Sequence, residues 1–295
     1  MSTFFKNPAI LFLLAATPLS ALTVQNFSHS TNNRFANRDP FVLAESDLSG
    51  VGRATNNTWA TLVSSNVFVS SNHYHPAIGQ TVTFHASNNA NGQTVTIPVT
   101  DGQRIGNSDV WVGILESSAP SDYATYTIAS EPFAGETTYL LGRSPSKLPS
   151  LTDVAVGENS LSGSLKMNGA GSEGNALYSI YDKGANALAH EALVQNGDSG
   201  APLFLQDPIS GELTLAGTNW LKGSFFAVGE FSAATKLSDY EREILRIVED
   251  NRASSPPLTN GLLGSSSTGL NVPEPSSAFL LCSAVGMALS FRVRK

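Results

Sequence analysis

Gln195-Asn196-Gly197-Asp198-Ser199-Gly200-Ala201-Pro202-Leu203-Phe204 is the stretch on which the reading of this chain turns. A serine between two glycines on a tight turn can present its hydroxyl while the backbone passes close beneath it. The same turn can aim two amides at one point. If Gly197 N–H and Ser199 N–H converge, they form an oxyanion hole for the charge that develops when Ser199 attacks a carbonyl. Ser199 is then a candidate nucleophile. Gly, Asp and Ser are also the commonest turn residues, and the chain has 25 glycines, so the reading needs a base elsewhere.

Five histidines are available: His29, His73, His75, His85 and His190. Only His73 and His75 sit at the exit of a clear strand signal, in Val67-Phe68-Val69-Ser70-Ser71-Asn72-His73-Tyr74-His75-Pro76. A base must be held by rigid structure and must reach the nucleophile, so a strand-to-turn exit is the expected place. His73 is preferred, because Pro76 constrains the backbone of His75. Asp109 opens the run Val110-Trp111-Val112-Gly113-Ile114-Leu115, where a carboxylate at the mouth of an apolar strand would be partly buried and could orient the base. Asp101 is the rival, but it precedes Gly102 and reads as a turn residue.

The 295 residues carry a net charge of −7, with no Lys/Arg block inside the body, which argues against nucleic acid as a partner. Lys6, the apolar run Ala9 to Ala16 and the small residues through Ser20-Ala21 follow the order of a secretory signal peptide over 1–21, implying export and signal peptidase as a partner. The one cysteine, Cys282, lies near the C-terminus, so the body has no disulfide, thiolate metal site or cysteine nucleophile. No metal and no other cofactor is expected.

Val272-Pro273-Glu274-Pro275 precedes the apolar run Ala278 to Phe291, and Arg292, Arg294 and Lys295 close the chain. The run is short for a bilayer span, but the terminal charges favour a hydrophobic anchor that leaves them in the cytoplasm. Over 272–295 these features resemble the PEP-CTERM sorting signal of Gram-negative bacteria. That resemblance implies a bacterial cell-envelope or extracellular location, transient anchoring in the inner membrane and removal of the tail by an exosortase-type sorting enzyme; the alternative is an ordinary tail anchor.

Between these ends, residues 22–48 are polar without a sustained period and read as a poorly ordered lead-in or pro-region. Short β-branched or aromatic runs follow, beginning with Trp59 to Val63 and Val67 to Ser70 and recurring through Phe225 to Phe231. Their spacing predicts an all-β sandwich or barrels. One helix is expected, opened by the capping box Ser238-Asp239-Tyr240-Glu241 and carrying the stripe Ile244, Leu245, Ile247 and Val248. Residues 253–271, rich in Ser, Gly, Pro and Thr, read as a flexible linker.

Over 49–252 the chain resembles the chymotrypsin-like (trypsin-superfamily) serine proteases. It has their order of His73, Asp109 and Ser199, the aspartate followed by an apolar run, and in Gly197 to Pro202 their most specific motif, with Ala201 replacing a glycine. Ser70, Ser71, Asn72 and Tyr74 depart from the family pattern around the histidine. The resemblance implies two packed six-stranded antiparallel β-barrels with a C-terminal α-helix, His73 and Asp109 coming from the first barrel and Ser199 from the second. It implies a serine-type endopeptidase that cleaves protein or peptide substrates through an acyl-enzyme intermediate, with Gly197 and Ser199 as the oxyanion hole. A catalytically inactive binding module on the same fold is the alternative. An α/β-hydrolase is excluded, because there the histidine comes last.

Two further expectations rest on the same resemblance. Leu141-Gly142-Arg143-Ser144 is similar to a segment of some bacterial members in which a buried arginine replaces the freed N-terminus, implying a structural ion pair between Arg143 and Asp198. Leu193 stands where trypsin-like members carry an aspartate, and Thr218-Asn219-Trp220-Leu221 resembles the family's substrate-binding strand. Leu193, Trp220 and Leu221 would then shape a specificity pocket closed to basic P1 side chains and suited to small or medium apolar ones.

Overall fold

The computed structural model describes residues 21–36, 40–132, 134–145, 151–225 and 229–253. The expected signal peptide up to residue 20, the linker from residue 254 and the C-terminal tail lie outside the described residues. Among the described residues no helix is long and apolar enough to cross a membrane.

The chain begins with a short strand β1 (Thr23–Val24) and a one-turn helix α1 (His29–Asn32). Six strands follow: β2 (Val51–Ala54), β3 (Trp59–Leu62), β4 (Val67–Ser71), β5 (Thr81–His85), β6 (Thr94–Arg104) and β7 (Val110–Leu115). They close an antiparallel barrel in the order β2-β3-β4-β7-β6-β5, which leaves no strand edge unpaired. Alternation along β4 divides its side chains between two cores. Phe68 points into the barrel with Leu62, Phe84 and Ile97, while Val67 and Val69 join Trp59, Val112 and Phe204 on the side of the second sheet.

The second half runs β8 (Thr137–Gly142), β9 (Ala155–Ser160), β10 (Gly163–Gly169), β11 (Ser172–Ile180), β12 (Ala192–Leu193), β13 (Pro202–Gln206), β14 (Leu213–Phe225), β15 (Gly229–Lys236) and α2 (Glu241–Ala253). Seven of these strands form one sheet, ordered β10-β11-β15-β14-β13-β8-β9, a half-barrel where a second closed six-stranded barrel was expected. The segment after residue 189 covers the free edge of β9: Glu158 N–H donates to His190 O at 2.9 Å, and Asn159 Nδ2 to Ala192 O at 3.0 Å. With that edge satisfied, pairing across to β10 is not needed.

Residues 22–48, expected to be loosely ordered, are built into the body wherever they are described. β1 pairs with β12, setting Thr23 opposite Leu193. Phe41, Leu43 and Leu48 are buried in the central core, each contributing about 1.5–3 kcal/mol of hydrophobic stabilisation. Arg34 is buried and donates to Val51 O at 3.2 Å and His85 O at 3.0 Å, joining the segment to the barrel. Individually polar stretches can order in this way when their few apolar residues reach a core already formed by strands.

Helix α2 buries Ile244, Ile247 and Val248 in the same core and leaves Leu245 exposed. The expected capping box does not form. A 3-10 turn at Leu237–Tyr240 carries the buried Leu237 inward, α2 begins only at Glu241, and the Ser238 hydroxyl has no hydrogen-bond partner.

Candidate active site

The candidate base, His73, stands where β4 ends. Ser71 pairs with Val110 across β4 and β7, and one step further Asn72 N–H donates to Asp109 O at 2.9 Å, so His73 and Asp109 leave the barrel side by side. His73 Nδ1 lies 2.8 Å from Asp109 Oδ2, and His73 N–H donates to Asp109 Oδ1 at 3.1 Å. With Nδ1–H donating to the carboxylate, Nε2 carries the lone pair, and it lies 2.9 Å from Ser199 Oγ. Asp109 is fully buried while His73 keeps a 22% exposed side chain, so the carboxylate is dry and the imidazole remains accessible. The rivals are elsewhere engaged. His75 stacks on Trp111 at 3.8 Å and burial pushes its pKa down, and Asp101 is an exposed residue of β6 whose carboxylate accepts from Gly102 N–H.

Ser199 is held by a loop whose backbone calls for glycine on both sides of Asp198-Ser199. Gly197 has φ +100°, and Gly200, with φ +81°, sits so close to β4 that a Cβ there would lie 2.5 Å from Ser70 Oγ. Asp198 N–H donates to Gln195 O, Gly200 N–H to Asn219 O and Ala201 N–H to Asp198 O, which commits the amides on either side of Ser199. Among the described residues the amides of Gly197 and Ser199 donate no hydrogen bond within the protein, which leaves both available to an oxyanion. Trp59 Nε1, from β3, donates to Gly197 O at 3.2 Å and ties the loop to the barrel.

Asp198 is the buried pivot of that loop. Its Oδ1 accepts from Arg143 N–H at 2.7 Å and its Oδ2 from Gln195 N–H at 2.8 Å. Burial raises its pKa to about 7, against the pull of those two amides and of the Arg53 and Arg143 charges. The expected Arg143–Asp198 side-chain ion pair is therefore corrected. Arg143 meets Asp198 through its main chain, while its guanidinium points to Asp153, Nη2 to Oδ2 at 3.6 Å. The reason is steric: Gly142 packs so tightly on the Asp198 carboxylate, with 2.6 Å between its would-be Cβ and Cγ, that the backbone itself occupies the near approach. Arg53, buried, with its pKa lowered by desolvation to about 10, supplies a second cation to the same region and lies over the Trp59 ring at 4.1 Å.

A pocket of about 40 Å³ opens beside Ser199, with Trp220 and Leu221 in its wall as expected. Leu193 is not part of it. Pairing with β1 draws Leu193 into the short β1–β12 sheet, where it is 2% exposed, and the alternation of an extended chain turns the next residue, Val194, to the pocket instead.

Two residues that the sequence did not single out complete the site. Ser172, at the start of β11, donates through Oγ to Asp109 Oδ1 at 3.3 Å. Arg104, at the end of β6, holds that serine from behind: its Nη2 lies 2.9 Å from both Ser172 Oγ and Gly171 O, and its Nε donates to Ser108 O at 2.8 Å. The β10–β11 hairpin of the second sheet thus reaches across to the carboxylate of the first barrel. No local signal marks Ser172, which follows an ordinary Ala-Gly turn.

No metal-ligating cluster of three or more His, Cys, Asp or Glu occurs among the described residues. No protein-family model matches this chain, and a comparison with curated proteins returned no match.

Proposed function

We propose that this chain is an exported serine endopeptidase of chymotrypsin-like type, its barrel and half-barrel corresponding to the two barrels of that family. The observation that carries the reading is the continuous line from buried Asp109 through His73 to Ser199, at 2.8 Å and 2.9 Å. Isolated turn or core residues have no reason to align in this way. In the proposed reaction His73 Nε2 takes the Ser199 proton as Oγ attacks the scissile carbonyl, and Asp109 stabilises the imidazolium without itself being protonated. The Gly197 and Ser199 amides receive the oxyanion. His73 then returns the proton to the leaving amine, and a water activated by the same nitrogen hydrolyses the acyl-enzyme.

Export through the N-terminal leader, and transient inner-membrane anchoring through a PEP-CTERM tail processed by an exosortase-type enzyme, belong to the same proposal and rest on the sequence at the two ends. The test is labelling of the purified body with a fluorophosphonate probe, together with Ser199→Ala and His73→Ala. Labelling of the wild type that is lost in both variants is the expected outcome. A folded wild type that takes no label would refute the enzyme and favour the binding module.

A further inference from the structure

We propose that the pocket beside Ser199 is built for an acidic P1 side chain, so that cleavage follows aspartate or glutamate; this rests on the protease reading above. Its wall divides by chemistry. Val194, Trp220 and Leu221 form the apolar part, and Gln195, Asn196, Asn219 and Lys222, with Ser199 itself, the polar part; the Asn219 amide nitrogen is already committed to Leu141 O at 2.9 Å, so the one cation of the wall is Lys222. Lys222 makes no ion pair among the described residues, whereas the other lysines described, Lys166, Lys183 and Lys236, each have a carboxylate within 3.6 Å. No lining residue is acidic. The neighbouring carboxylate, Asp198, is buried with both oxygens occupied by main-chain amides, and so is not available to the ammonium.

The ammonium is also positioned. Gln195 Nε2 donates to Thr23 Oγ1 at 2.9 Å, which turns Gln195 Oε1 to accept from Lys222 Nζ. A strand of the N-terminal segment therefore sets the amide, and the amide sets the cation at the pocket wall. An ammonium has three donors, and this arrangement uses one. The remaining two suit a carboxylate, and a basic P1 side chain would meet a like charge. The apolar contribution of Leu221 is a boundary, since its methyl groups lie against Gly169.

The experiment compares kcat/KM for one peptide sequence with Asp, Asn, Glu, Gln, Ala, Leu or Lys at P1, using enzyme titrated with the fluorophosphonate probe. At least a tenfold preference for Asp over Asn, or Glu over Gln, is expected in the wild type. Lys222→Arg should keep that preference, Lys222→Met should abolish it, and Lys222→Glu should shift it toward a lysine at P1. Probe-labelled enzyme that cleaves equally after Asn and Asp, or prefers Ala or Leu, overturns the acidic pocket and leaves the protease reading intact. Enzyme that neither labels nor cleaves any member of the panel overturns both.

Discussion

Replacing Ser172 by alanine removes one hydroxyl from the second sheet and leaves every residue of the His73–Asp109–Ser199 line in place. The Ser172 Oγ to Asp109 Oδ1 bond is 3.3 Å long and ends on a fully buried carboxylate. A hydrogen bond to a charged group contributes about 1.5–3 kcal/mol, and this length places the bond at the lower end, about 1.5 kcal/mol. If that energy acts in the transition state, where Asp109 must face a full imidazolium, kcat falls roughly tenfold. Substrate does not touch Ser172, so KM should stay within about twofold. Arg104 keeps its bonds to Asn107 O, Ser108 O and Gly171 O, so the truncation does not strand a buried cation. The assay is steady-state kinetics on probe-titrated enzyme, with Ser172→Thr as the conservative variant that restores the hydroxyl. Wild-type kcat in Ser172→Ala would refute the reasoning, as would an equal loss in Ser172→Thr, because either result reduces the hairpin to a structural neighbour.

Asp109→Asn should leave the fold intact and lower kcat by about 10⁴, because an amide in that place favours the wrong imidazole tautomer; a loss under tenfold would show that His73 is oriented by something else. Asp198 binds its proton more tightly folded than unfolded, with a pKa of about 7 against an ordinary 3.8. Its stabilising contribution is therefore fully present below about pH 4 and is lost as pH rises to about 7, up to about 4 kcal/mol in all. Denaturant titrations should accordingly show wild type losing more stability than Asp198→Asn across that window, and parallel pH profiles would contradict it. Leu48→Ala should cost about 2–5 kcal/mol, as expected of a core residue. A thermal midpoint unchanged from wild type would return residues 22–48 to the status of a removable pro-region.

What the sequence by itself determined was the local chemistry. A loop that must present a hydroxyl, admit φ of +100° and +81°, and lie against the end of β4 calls for glycine at the two positions flanking Asp198-Ser199. Gly197 to Gly200 is therefore legible as a motif. The apolar runs before His73 and after Asp109 are legible too, because a strand buried on both faces must be written in residues such as Val and Phe. The tertiary structure alone decided the pairings between distant segments. Ser172 lies 63 residues from Asp109, Thr23 lies 172 from Gln195, and neither is distinguished in the sequence from any other serine or threonine until the sheets pack. Arg143 could not be assigned to Asp153 instead of Asp198, nor Leu193 to a short sheet instead of a pocket, because both depend on which backbone arrives first at a crowded point. Periodicity records which face of a strand is buried, and only packing records what it is buried against.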